Sequence, residues 1–252
     1  MSETLFNFLL IFSRITAFIT LVPGLSYKHS PVISKVVVSV GLTIVSLEVM
    51  TQGVPLPDSS LLIYFGLMRE VLLGLAMGFI VQMLFLSIEM AGQFVDFQVG
   101  FSMGTVFDPA LGIQASNYGR LFHWISLALF FALDFHHLII GQLLDSFIAI
   151  PIGQAQLSNS TIEGIIKLFG ESMKLALILA LPLMIVALTV DVILGIISRS
   201  VSQINVLMLG LPLKILTTFA FMLFLIPNLV REIQKIFPII VRYLAEFITS
   251  MS

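Results

Sequence analysis

The chain has 252 residues, 58% of them hydrophobic and only 10% charged, with 12 Lys+Arg, 14 Asp+Glu and no cysteine. A soluble domain carries about 25% charged residues, so this chain cannot cover a water-facing surface, and a soluble enzyme, a nucleic-acid-binding domain and a disordered linker are excluded. The mean hydropathy of +1.10 places it in lipid or against other apolar protein, the net charge of -2 gives no basis for nucleic acid as a partner, and the missing cysteines rule out disulfides, thiol nucleophiles and Cys-zinc sites.

A bilayer core takes about 20 mostly apolar residues as a helix, and six such stretches occur, predicting an all-α integral membrane protein of about six long, kinked helices or helical hairpins in one membrane domain over residues 1–252. The first runs from Leu5 to Val22 with Arg14 inside it and ends at Pro23-Gly24, where a backbone donor is lost and a positive φ becomes accessible. No basic residue precedes it and no small-residue cleavage site follows, so it is expected to stay as a span. The second runs from Val32 to Met50. The third begins near Leu61, continues through Arg69-Glu70 to about Met90, and exceeds one crossing. The fourth, Leu121 to Ile150, is interrupted by Asp134, His136 and His137 and reads as a broken helix or a helical hairpin. The fifth, Leu175 to Val190, has Pro182 in its middle, where a kink is expected. The sixth is Ile215 to Leu229, followed by an amphipathic tail over residues 230–252. Lys28 and Lys35 put the first loop in the cytoplasm, but six serpentine crossings would then place the basic tail outside, against the positive-inside rule.

Ionisable residues inside apolar segments need a partner or a cavity, and Arg14, Glu48, Arg69, Glu70, Glu89, Asp134, Asp145 and Asp191 stand in such positions. They read either as a proton or ion pathway or as span ends and interhelical pairs; Glu89 and Asp96 share a face, two turns apart. Asp134 with His136-His137 suggests a metal, but adjacent side chains of a regular helix diverge by about 100°, so no metal site is expected. Neither a nucleophile elbow nor a phosphate-binding glycine loop occurs, so no enzyme and no cofactor are expected.

The most informative pattern is a ladder of small and polar residues at four-residue steps: Gly66, Glu70, Gly74, Gly78 and Gln82. Small residues let helix backbones approach, so this is predicted to be a packing and assembly face. The pattern resumes at Gly92, Asp96, Gly100, Gly104, Asp108 and Gly112, with Gln93, Gln98 and Ser102 interspersed, and makes residues 91–119 a glycine-rich broken helix and loop. A helix break is expected at Phe107-Asp108-Pro109. Phe101, Met103, Val106 and Phe107 set bulky apolar side chains among flexible glycines, which fits a deformable plug or constriction and equally fits a re-entrant turn packed on its neighbours.

Ala91-Gly92-Gln93, Asp96, Gln98, Gly100-Phe101-Ser102-Met103 and Asp108-Pro109 resemble the signature of the FliR/SctT family of type III secretion export-gate proteins. Arg14, Pro23, Pro31 and Lys35, then His136, Ser146 and Pro151-Ile152-Gly153, and then Asp191, Gly195, Arg199, Gln203, Asn205, Gly210, Pro212 and Lys214 extend the likeness along the chain. Ser202 and Gly104 depart from the family's usual proline and alanine. The resemblance implies a subunit of the bacterial flagellar export gate in the inner membrane, at the flagellar basal body, with the flagellar branch a better fit than the injectisome. It implies a larger helical assembly with FliP-like and FliQ-like membrane subunits, FlhB-like and FlhA-like export components, and translocated flagellar proteins as passing substrate. It also implies a plug at Gly100 to about Asn117, in which Phe101, Met103, Val106, Phe107, Asp108 and Pro109 form the constriction. Gly74, Gly78, Gly92, Gly100 and Gly104 are the expected packing positions, and Arg14, Glu70, Glu89, Gln93, Asp96, Asp191, Gln203 and Asn205 the expected buried polar groups. The alternative from a different class is a secondary transporter that couples protons to a small solute through Glu89, Asp96 and Asp134.

Overall fold

A computed structural model of the chain describes residues 2–26, 31–49, 54–57, 59–101, 116–153, 159–200 and 206–251. These residues form seven helices and no strand: α1 (Glu3–Leu21), α2 (Val32–Val49), α3 (Ser60–Val99), α4 (Asn117–Ala132), α5 (Phe135–Ala149), α6 (Asn159–Ser200) and α7 (Val206–Met251). All six predicted spans are present as helix, and four of the helices, or five spans if the bent pair α4 and α5 is counted as one, are long and apolar enough to cross a membrane.

Local chemistry accounts for the boundaries. Ser2 caps α1 by accepting from the Leu5 N–H at 3.4 Å, with Glu3 in the first turn where the helix dipole favours an anion. The helix ends where expected, before Pro23 and with Gly24 at φ 86°. Between α4 and α5 the axis bends by 72°, and Asp134 takes the left-handed conformation at φ 56°, so the fourth stretch is the broken helix that its polar interruption predicted.

The bounds of three helices differ from expectation. The predicted break at Asp108-Pro109 lies outside the described residues, but α3 has already stopped at Val99, because Gly100 turns to φ 100° and the Gly100 and Phe101 N–H groups both return to the Asp96 carbonyl, at 3.1 and 3.0 Å. The sixth span and the segment after it form one helix, α7, which contains Pro212, Pro227 and Pro238. Likewise α6 carries Pro182 inside a 42-residue helix, far beyond Leu175 to Val190.

The described chain divides into two compact units, Met1–Leu84 with Phe130–Gly170 and Phe237–Ser252, and Phe85–Leu129 with Glu171–Ile236. The first buries Phe6, Leu10, Ile15 and Phe18 of α1 with Leu73 and Met77 of α3 and Leu143 and Phe147 of α5. The second buries Phe85, Ile88 and Val95 of α3 with Phe122 of α4, Leu183 of α6 and Met222 and Ile233 of α7. Outward faces are apolar too: α6 exposes Ile178, Leu181, Ile185, Leu188, Val192 and Ile196 while burying Leu179, Leu183 and Ala187. A helix apolar on all sides belongs in lipid or against other protein.

Candidate functional site: three polar seams between helices

The four-residue ladder of α3 is a seam against α1. Gly66 meets Leu10 and Phe6, Gly74 meets the Arg14 backbone and Ala17, and Gly78 meets Phe18 and Leu21, so the two helices run in parallel. At Gly74 a β-carbon would collide with the Arg14 carbonyl oxygen and lie 2.9 Å from the Ala17 β-carbon. Glycine permits this approach because it has no side chain to hold the backbones apart. The ladder marks a close packing face, as its period predicts, but at Gly74 and Gly78 the face is occupied by this chain's own first helix.

Between those glycines lies Glu70, and its partner is Arg14; both side chains are completely buried, with Arg14 Nε 2.6 Å from Glu70 Oε2. The remaining guanidinium donors reach the Ser146 carbonyl at 3.1 Å and hydroxyl at 3.3 Å, and the Ile150 carbonyl at 3.2 and 3.3 Å. Both carbonyls lie at the C-terminal end of α5: that of Ser146 already accepts from the Ile150 N–H at 2.9 Å, whereas that of Ile150 lies past the last turn, where acceptors have no intrahelical donor. Arg14 therefore caps α5 while Glu70 neutralises it. Glu70 Oε1 accepts from the Gly153 N–H at 2.8 Å, and the Phe147 ring lies 4.4 Å from the guanidinium carbon. Both Glu70 oxygens and the Ser146 and Ile150 carbonyls thus have donors in this fully buried site, the condition under which a buried ion pair is tolerated.

The second seam joins α3 to α4. Gly92 crosses Gly119 so closely that a β-carbon at Gly92 would overlap the Gly119 nitrogen and α-carbon. One turn on, the buried Asp96 carboxylate accepts from the Tyr118 N–H at 3.2 and 3.3 Å and from the Ser116 hydroxyl. Ser116 in turn caps α4 by accepting from the Gly119 N–H at 2.8 Å. A carboxylate at a helix N-terminus is stabilised by the unpaired N–H groups and the dipole together. In the other direction along α3, Glu89 lies 3.9 Å from His123. Contacts 89 to 123, 92 to 119 and 96 to 116 make α3 and α4 an antiparallel pair, and the face shared by Glu89 and Asp96 is the one that meets α4. The Phe101 ring, at the end of α3, packs on Tyr118 at 6.2 Å.

The third seam repeats the first with other residues. Lys214 of α7 lies 2.6 Å from Asp191 Oδ1 of α6 and donates to the Gln98 carbonyl at 3.0 Å, in the last turn of α3. The Gln98 side-chain amide donates to Asp191 Oδ2 at 3.3 Å. A cation again caps a helix C-terminus with a carboxylate from a third helix beside it.

Of the expected buried polar groups, Arg14, Glu70 and Asp96 are buried. Glu89 and Asp191 are partly exposed, because each sits at the edge of its seam. Gln93 is exposed and corrects the expectation of burial: Gly92, Val95, Asp96 and Val99 form the inward stripe, and Gln93 falls with Phe97 on the outward one. Of the expected constriction only Phe101 is described; Met103, Gly104, Val106, Phe107, Asp108, Pro109, Gln203 and Asn205 lie outside the described residues. Gly119 was not singled out by the four-residue ladder. Its signal was a lone glycine three residues after a serine that opens an apolar helix, a capping pattern.

These elements define an all-α, multi-pass integral membrane protein whose polar residues lock helix ends to helix faces. Residues 5–239 match the family described as bacterial export proteins, family 1. The chain is 31% identical to the flagellar biosynthetic protein FliR of Bacillus subtilis (strain 168), covering 84% of this chain and 83% of that one. It is 28% identical to the FliR of Escherichia coli (strain K12), covering 94% and 91%, and 30% identical to the secretion system apparatus protein SsaT of Salmonella typhimurium, covering 58% and 56%. The chain belongs to the bacterial export proteins of family 1, the FliR family, and is a multi-pass protein of the bacterial inner membrane. The secondary-transporter alternative is left without support: the family is one of export proteins, and the Asp96 carboxylate proposed for it is engaged in holding α4.

Proposed function

We propose that the chain is a non-enzymatic subunit of the flagellar type III protein export gate, and that it forms and seals part of the inner-membrane channel through which unfolded flagellar proteins pass. Membership of the export family over residues 5–239 supports the export role. The sealing role rests on the clamp between α3 and α4. Asp96, Gly92 and Phe101 on one side and Ser116, Tyr118 and Gly119 on the other hold together the two ends of the segment 102–115. That segment carries Met103, Val106 and Phe107, apolar groups of the kind that close a pore to ions by excluding water.

FliP-like and FliQ-like subunits are the proposed lateral partners, with FlhB-like and FlhA-like components on the export path. The lengths of the helices support an assembly. α3, α6 and α7 have 40, 42 and 46 residues, about twice what a bilayer crossing needs, and α3 exposes large apolar side chains from Leu61 and Phe65 through Phe79 to Phe97. Lipid covers one bilayer thickness of such a surface; neighbouring subunits cover the rest.

Replacing Met103, Val106 and Phe107 together by glycine is expected to leave the complex assembled but leaky to small ions at rest, as measured by conductance of purified complexes in planar bilayers. Assembled complexes whose conductance matches that of the unsubstituted protein would remove the seal from this segment.

A further inference from the structure

The turn between α4 and α5 carries a cluster of side chains that the export role does not use. Asp134 occupies the cap position of α5, yet its carboxylate makes no capping hydrogen bond. It faces His137 instead, with Oδ1 3.5 Å from Nδ1. Beside it the His136 ring lies 4.0 Å from that of His137 and packs against Phe131 and Phe130 at 5.2 and 6.1 Å. The His136 Nδ1 is buried and has no hydrogen-bond partner among the described residues. One ligand atom from each of Asp134, His136 and His137 lies within 4.8 Å of the others.

In a regular helix neighbouring histidines diverge by about 100°, which is why the sequence alone disfavours a shared ion. Here both histidines stand in the first turn of α5, but their rings turn toward each other to a centroid distance of 4.0 Å, and the left-handed Asp134 before them sets its carboxylate beside His137. Two imidazole nitrogens and one carboxylate oxygen are a borderline donor set that suits zinc-like ions better than calcium or magnesium. Around a tetrahedral ion with bonds of about 2.0–2.1 Å, neighbouring ligand atoms stand roughly 3.4 Å apart. The 3.5 Å between Asp134 and His137 already meets that spacing, and the His136 ligand atom lies within 4.8 Å of both. We propose that Asp134, His136 and His137 bind a divalent transition-metal ion of the zinc class, with water in the open position, and that the ion pins His136 against the end of α4 and stiffens the 72° bend.

The test uses the full chain purified in mild detergent without a polyhistidine tag, dialysed against zinc at micromolar free concentration, with bound metal quantified. One zinc per chain is expected, together with a zinc-dependent rise in the thermal unfolding midpoint. Asp134→Asn and His137→Ala, both at largely exposed positions, are each expected to weaken binding at least about tenfold and to abolish that rise, while leaving the metal-free midpoint unchanged. Zinc bound as tightly by the Asp134→Asn and His137→Ala proteins as by the unsubstituted one, or no zinc bound by the unsubstituted protein, would overturn the assignment.

Discussion

Arg14→Ala is expected to remove most of the folded protein from the membrane fraction. The substitution leaves the Glu70 carboxylate fully buried without its counter-charge, strips the Ile150 carbonyl of the Arg14 donors, and leaves the Ser146 carbonyl with only the Ile150 N–H. Removing one partner of a buried pair costs about 3–5 kcal/mol, a large share of the roughly 5–15 kcal/mol by which folded proteins are stable. Arg14→Lys keeps the charge but not the planar fork that reaches three groups at once, so an intermediate loss is expected. Replacing both Arg14 and Glu70 by methionine should recover part of the stability, because no unpaired charge then remains; the shortfall reports the uncapped end of α5. Membrane yield and the unfolding midpoint in mild detergent measure all of these. An Arg14→Ala protein as stable as the unsubstituted one would show that the network does not hold these helices together.

Gly92→Ala is expected to separate α3 from α4 and with them the two ends of the proposed seal. The added methyl group overlaps Gly119 main-chain atoms, which cannot rotate aside as a side chain would. Overpacking costs about 1–3 kcal/mol, and moving the helices apart also draws Asp96 from the Tyr118 N–H, a cap worth about 0.5–2 kcal/mol. Gly41→Ala is the matched control, since a β-carbon at Gly41 meets nothing within 4 Å. Exchanging glycine for alanine inside a helix is intrinsically favourable by up to about 1 kcal/mol. The comparison is therefore one of sign: a lower unfolding midpoint and loss of assembled complex for Gly92→Ala, no loss for Gly41→Ala. Equal behaviour of the two variants would contradict the close crossing.

The helices were legible in the sequence because apolar runs bounded by Pro, Gly and charge leave few alternatives in a chain so poor in polar residues. Their lengths were less so. Hydropathy marks the membrane-like core of α6 and α7, whereas the charged outer turns, such as Glu163 to Lys174, stay helical through the intrinsic propensity of Glu, Lys and Leu. Arg14 and Glu70 were legible singly, as charges that require partners, but their pairing was not, because 56 residues separate them and only the parallel packing of α1 on α3 brings them together. The same holds for Asp191, whose partner Lys214 stands in another helix. The Gly66 to Gly78 ladder announced a close seam through its period alone; a period carries no information about whether the partner is a subunit or the chain's own first helix. Gln93 was misplaced because a polar residue inside a motif was read as buried, whereas helical register sets it beside the exposed Phe97.

On this reading the chain works as one subunit of a multi-subunit export gate. The most direct test is affinity purification from gently solubilised membranes, with the mass of the intact particle and the identity of its co-purifying chains read together. Several small hydrophobic membrane subunits around this chain in a single particle are expected. A bare monomer or homodimer, reproduced across several mild detergents, would contradict this reading.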